Sequence, residues 1–156
     1  MTPEHRLEKL GIELPAAATP VGLYQPVVVS RGVAYLSGQG PTVNGRPAFY
    51  GQVGGELTLD DATQAARLCA LNALAVLRAE LGSLNRVRRI VKVLGFIASA
   101  PGFHQQPIVL NGASTLLNDI FPTGHARSAI GTNLLPFNIP VEVELVAELE
   151  GDVAPQ

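Results

Sequence analysis

Ala126-Arg127-Ser128-Ala129-Ile130, then Leu134-Leu135-Pro136, then Pro140-Val141-Glu142-Val143-Glu144-Leu145 reads as two strands joined by a short polar connection. From Val141 to Glu150 the alternation is nearly strict. Val141, Val143, Leu145, Ala147 and Leu149 share one side; Glu142, Glu144, Glu148 and Glu150 share the other, interrupted only by Val146. A period of two over this length marks a half-buried strand. The preceding strand sets a lone arginine, Arg127, among small and apolar residues. From neighbouring strands Arg127 and Glu142 can face one cleft, and the planar guanidinium fork suits a carboxylate.

Outward from this stretch the elements follow one another without a break in composition. Two strands around Val27–Val29 and Val33–Ser37 form a hairpin turned by Arg31-Gly32. Asn44-Gly45-Arg46 marks a second hairpin tip, with Ala48–Tyr50 expected as a short strand. Thr58 with Asp61 resembles a capping box and opens an alanine-rich helix that Gly82 stops. Arg86–Ala98 reads as a long strand. Pro107 starts a second helix whose core stripe is Val109, Ala113, Leu116 and Ile120, leaving Asn111 off it. The order strand, strand, helix, strand, helix, strand, strand predicts an α+β fold with two helices on one sheet face. Before it, Pro3–Leu10 suits a short helix closed by Gly11, and residues 1–20 read as an N-terminal extension to a domain at 21–150. Residues 151–156 read as a flexible tail.

The chain has 156 residues, enough for one core, with 47% hydrophobic and 15% charged residues. So few charges suggest surface buried between subunits. A net charge of −2 points to neither a nucleic-acid nor a membrane-surface partner. The start carries no apolar leader and no run reaches spanning length, so the expected location is the cytoplasm. The single cysteine, Cys69, lies mid-helix on the apolar stripe and reads as an inert buried thiol. His5, His104 and His125 lie far apart without carboxylate or cysteine partners at ligand spacing, so no metal is expected, and no dinucleotide or phosphate loop implies a cofactor. The basic cluster Arg86, Arg88, Arg89 reads as a solvated strand end.

Four features in order resemble the Rid family (reactive intermediate deaminases, also called YjgF-like). They are Tyr24 thirteen residues before Ser37-Gly38-Gln39, Asn111 at the head of a late amphipathic segment, Ala-Arg-Ser at 126–128, and Leu-Pro followed by Val-Glu-Val-Glu at 135–144. The resemblance runs from about Val21 to Glu150. It implies a chorismate-mutase-like mixed sheet backed by two helices, and a homotrimer with a site in each cleft between subunits. It also implies hydrolysis of small 2-imino acids to 2-oxo acids and ammonia. Carried over residue by residue, Arg127 anchors the carboxylate and Glu142 orients or activates the water. Tyr24 walls the pocket, Asn111 lines it, Gly38 offers a backbone group, and Ser37 stands beside it. Three departures mark a divergent subgroup: Ala129 where the family often has cysteine, Leu23 rather than proline before the tyrosine, and an Asn111–Arg127 interval one residue shorter than usual.

Read apart from the resemblance, Glu142 is one solvated strand glutamate among several, Tyr24 suits the core, and Asn111 suits a helix surface. Two other functions compete with the deaminase. One is a non-catalytic trimer that uses Arg127 to hold a small carboxylic acid. The other is ribonuclease action, which lacks the basic stripe with interleaved aromatics that RNA binding needs.

Overall fold

Helix α1 (Pro3–Leu10) opens on Thr2, whose hydroxyl accepts from His5 N–H, and closes on Gly11 in the left-handed region. It is not a loose extension. Glu4 Oε1 accepts from Leu84 N–H at 2.8 Å, Glu4 Oε2 lies 3.4 Å from Arg78 Nη1, and Leu7 is buried. One carboxylate thus ties the first helix to the far end of the second.

Strands β1 (Val27–Ser30) and β2 (Val33–Leu36) form the expected hairpin, turned by Arg31 and Gly32 at φ of 50° and 74°. The second hairpin is shorter than predicted. It consists of β3 (Thr42–Val43) and β4 (Arg46–Pro47), and Ala48–Tyr50 form no strand. Pro47 lacks the N–H that a longer ladder needs.

Helix α2 (Leu59–Leu81) starts on a reciprocal capping box: Asp61 N–H donates to Thr58 Oγ1 and Thr58 N–H to Asp61 Oδ2. Gly82, in the left-handed region, ends it. Its fully buried alanines allow close packing on the sheet and on α3 (Gln106–Ile120). The helices meet at Gly112, where a Cβ would collide with the Thr63 carbonyl oxygen. Between them runs β5 (Val87–Ala98), preceded by a 3-10 turn (Leu84–Arg86) that takes Arg86 out of the predicted strand.

The last strands, β6 (Ala126–Thr132) and β7 (Val141–Leu149), are not neighbours. The sheet order is β1-β2-β7-β5-β6, with β5 and β6 parallel and the other pairs antiparallel. This is a mixed sheet in an α+β fold, with α2 and α3 on one face, as expected. The computed structural model describes residues 1–151, so the expected tail lies, from residue 152 on, outside the described residues.

Strand β7 alternates buried and half-buried along its whole length. Its buried set faces α2 and α3. Glu142, Glu144, Val146 and Glu148 face the other way, onto a side that no helix among the described residues covers. That open side also carries Val28 and Tyr35, each about half exposed at 52% and 50%.

Candidate functional site

Strand β6 is a sheet edge, and Arg127 sits near its start. In the parallel ladder Arg127 pairs with Val93, and Ala129 pairs with Gly95. Both partners face the helices: Val93 is fully buried, and a Cβ on Gly95 would come within 2.5 Å of Leu110 Cδ1 on α3. Arg127 therefore turns toward α3. Its Nη1 donates to Ser114 Oγ at 3.0 Å and its Nη2 to the Pro107 carbonyl at 3.1 Å. Ser114 Oγ in turn lies 2.9 Å from His125 Nε2. Burial and the neighbouring Arg127 hold the His125 pKa below its ordinary value, so the ring is neutral near pH 7. Arg127 remains only half-buried, with N–H groups left over and no carboxylate within ion-pair distance among the described residues.

Glu142 belongs to the opposite face. It pairs with Phe96, which pairs with Ile130 on β6, so a carboxylate, a phenyl ring and a branched aliphatic side chain form one row across the open side. Burial, and secondarily the charge of Glu144, raises the Glu142 pKa. Gly38 explains how this side chain fits. A Cβ at position 38 would overlap Glu142 Oε1 and come within 2.8 Å of its Cδ, so the glycine is the space the carboxylate occupies. The residues around Gly38 are tied down: Ser37 N–H donates to Pro26 O and Gln39 N–H to Val143 O, each at 2.9 Å. Ser37 Oγ is spent on the Gln25 carbonyl at 2.7 Å. Tyr24 lies just before that bond, 47% exposed.

The six predicted site residues thus divide. Glu142, Gly38 and Ser37 come together, and Tyr24 is next to them in the chain. Arg127 stands on the other side of the sheet. The expectation that Arg127 and Glu142 share one cleft fails within a single chain, because β5 separates their strands and their registers put them on opposite faces. Asn111 is exposed on α3 and lines a surface groove of about 420 Å³ with Arg67, Thr115 and Asp119. Sequence reading passed over Ser114 and His125. Pro107 and Ser114 are two helical turns apart and so share a face, but nothing local says that β6 runs beside that face.

Other features carry less chemistry. Cys69 is fully buried with its Sγ 3.4 Å from Val141 O, and burial pushes its thiol pKa well up. Arg88 and Arg89 both pair with Glu148, at 3.2 and 2.6 Å, so one carboxylate is shared by two of the three arginines in this cluster. Among the described residues no three histidine, cysteine or acidic side chains converge as a metal site, and no helix is long and apolar enough to cross a membrane.

Comparison with known proteins agrees with this architecture. Protein TCP17 of Trypanosoma cruzi is 42% identical over 146 residues, covering 92% of this chain and 91% of that protein. The structure of Atu1372 from Agrobacterium tumefaciens, of unknown function, is 42% identical with a TM-score of 0.86, covering 95% of this chain and 92% of that one. A structure from Shewanella oneidensis, described as a "putative endoribonuclease", is 35% identical with a TM-score of 0.91, covering 96% of this chain and 100% of that one. Residues 4–149 match the family model described as "YjgF/chorismate_mutase-like, putative endoribonuclease", and the chain belongs to that family.

Proposed function

We propose that the protein hydrolyses small 2-imino acids to 2-oxo acids and ammonia, in clefts formed between three copies of the chain. The observation that carries this reading is Arg127. Its guanidinium is fixed at a sheet edge by two hydrogen bonds, yet keeps N–H groups for a ligand carboxylate. Water adds to the imine carbon, forming a C–O bond. Glu142 accepts one proton of that water and passes it to the imine nitrogen. The second moves from the new hydroxyl to nitrogen as the C–N bond breaks, leaving a C=O bond and ammonia. Burial raises the Glu142 pKa toward the working range of a general base.

Exposed apolar side chains support assembly of the chain with copies of itself. Large exposed apolar side chains lie along both opposite edges of the sheet: Leu23, Tyr24 and Val28 by β1, and Ile130, Leu134 and Phe137 by β6. Two different edges that suit each other make a heterologous contact, which closes into a ring when the rotation allows. A cleft between copies is also where Arg127, on an edge strand, and Glu142, on an uncovered face, can meet one ligand. Phe137 and Asn138 both hold left-handed backbone, at φ of 60° and 57°. For Phe137 such a conformation costs about 1–2 kcal/mol, and its ring is exposed. The one free, buried thiol fits a reducing cytoplasm.

A second reading is a trimer that binds small carboxylates without turnover, for which the tethered Arg127 suffices without a proton acceptor. Ribonuclease action has less support, since the net charge is −2 and the sequence has no basic stripe with interleaved aromatics. The deciding measurement follows decay of 2-imino acids generated by an amino-acid oxidase. Acceleration over buffer supports the deaminase. No acceleration, with 2-oxo acids still bound, establishes the binder. Light scattering should give three times the 16.4 kDa chain; a monomer would remove the cleft from both readings.

A further inference from the structure

We propose that Ser114 and His125 are positioning residues for Arg127, forming a relay that fixes the guanidinium for a planar carboxylate; this rests on Arg127 being the anchor. The argument is one of hydrogen accounting. A guanidinium has only donors, so at the 3.0 Å contact the Ser114 oxygen accepts from Arg127 Nη1. The hydroxyl proton is then free to be donated. His125 Nε2, at 2.9 Å, takes it when the ring is neutral and carries its proton on Nδ1. Burial and Arg127 both favour the neutral ring. The chain of donors therefore runs from Arg127 to Ser114 to His125, and each bond polarises the next.

The second tether, from Nη2 to the Pro107 carbonyl, comes from the same helix two turns away. Two fixed points on α3 define the plane of the guanidinium. An arginine held by one point swings; held by two, it presents its remaining N–H groups in one direction and loses less freedom when a carboxylate arrives. Ser114 and His125 are partly buried; Ser114 reaches Arg127 from α3, and His125 reaches Ser114 from the segment entering β6. Neither needs to touch the substrate.

The test measures 2-oxo acid affinity by calorimetry for Ser114→Ala, His125→Phe and His125→Gln, with Thr115→Ala as the control on the same helix. Losing one neutral hydrogen bond predicts about a two- to tenfold weaker Kd for Ser114→Ala and His125→Phe. Glutamine can accept from Ser114 where the ring nitrogen did, so His125→Gln should recover most of the affinity. Thr115→Ala should match wild type. If imine turnover is measurable, the loss should fall on KM, with kcat nearly unchanged. In wild type, nitrogen NMR should show an unprotonated, hydrogen-bonded Nε2 on His125. Wild-type affinity in both Ser114→Ala and His125→Phe, or a protonated Nε2 at pH 7, overturns the relay. Equal loss in His125→Gln and His125→Phe also overturns it. Should Arg127→Lys itself bind like wild type, the anchor reading fails instead, and the two failures are told apart.

Discussion

The two faces of the sheet contain the same strands but obey different rules. On the helix side Val93, Ile97, Val141, Val143 and Leu145 are almost fully buried, and Arg127 lies at the edge and is tethered to α3. On the open side Phe96 and Val146 share the strands with Lys92, Glu142 and Glu144, and Tyr35 is half exposed. The helix side is finished within one chain. The open side is apolar enough to be covered and charged enough to do chemistry, and among the described residues no helix covers it. The difference teaches that stability and function are written on alternate residues of the same strands, so neighbouring substitutions should have unlike consequences.

The sharpest such contrast, and the largest expected effect, is in turnover. Glu142→Gln should lower kcat by about a hundred- to ten-thousand-fold, the usual range for loss of a general base, while 2-oxo acid binding changes little. Glu144→Gln, two residues along the same face, should stay within a few-fold of wild type. Imine decay kinetics check both. Full activity in both variants would move the proton acceptor elsewhere.

One residue away, the helix face should respond in stability instead. Leu145→Ala removes a core side chain and should cost about 2–5 kcal/mol of unfolding free energy, read by denaturant titration. Val146→Ala, on the open face, should cost distinctly less in a dissociated chain. Equal losses would mean that the open side is as well packed as the helix side, and the comparison breaks.

Arg127→Lys tests the edge where the two faces meet. Lysine keeps the charge but loses the parallel donors, so 2-oxo acid affinity should fall by roughly 1.5–3 kcal/mol, about ten- to a hundredfold. Calorimetry on both proteins decides it.

The smallest effect concerns pH. Burial raises the Glu142 pKa above its ordinary 4.5, so the folded state binds this proton more tightly than the unfolded chain does. Stability from this group is therefore present below the unfolded pKa and is lost as pH rises through the folded one. Glu142→Gln, which is always neutral, should be more stable than wild type at pH 7, and the advantage should fade as pH falls toward 4. Thermal unfolding across that range checks the sign. A variant less stable than wild type at pH 7 would show that the carboxylate is welcome on the open face.

Sequence by itself determined whatever depends on neighbours along the chain. Thr58 with Asp61, Gly82, Pro3 and Gly11 set helix ends because a cap is a local hydrogen bond or a local φ. The alternation from Val141 to Leu149 fixed which residues of β7 are buried, since the pleat has a period of two. The fold class followed from the order of such pieces, and Arg127, Glu142 and Gly38 were legible as candidates. What only the tertiary structure decided is which strands lie side by side. Inserting β5 between β6 and β7 put Arg127 and Glu142 on opposite faces, although each strand is legible from its own residues. Laying β6 beside α3 gave Arg127 its partners Ser114 and His125. Folding β2 toward β7 made Gly38 the hollow for Glu142. Each is a contact between residues distant in the chain, and strand order is set by how the whole sheet packs on its helices, which no local pattern records.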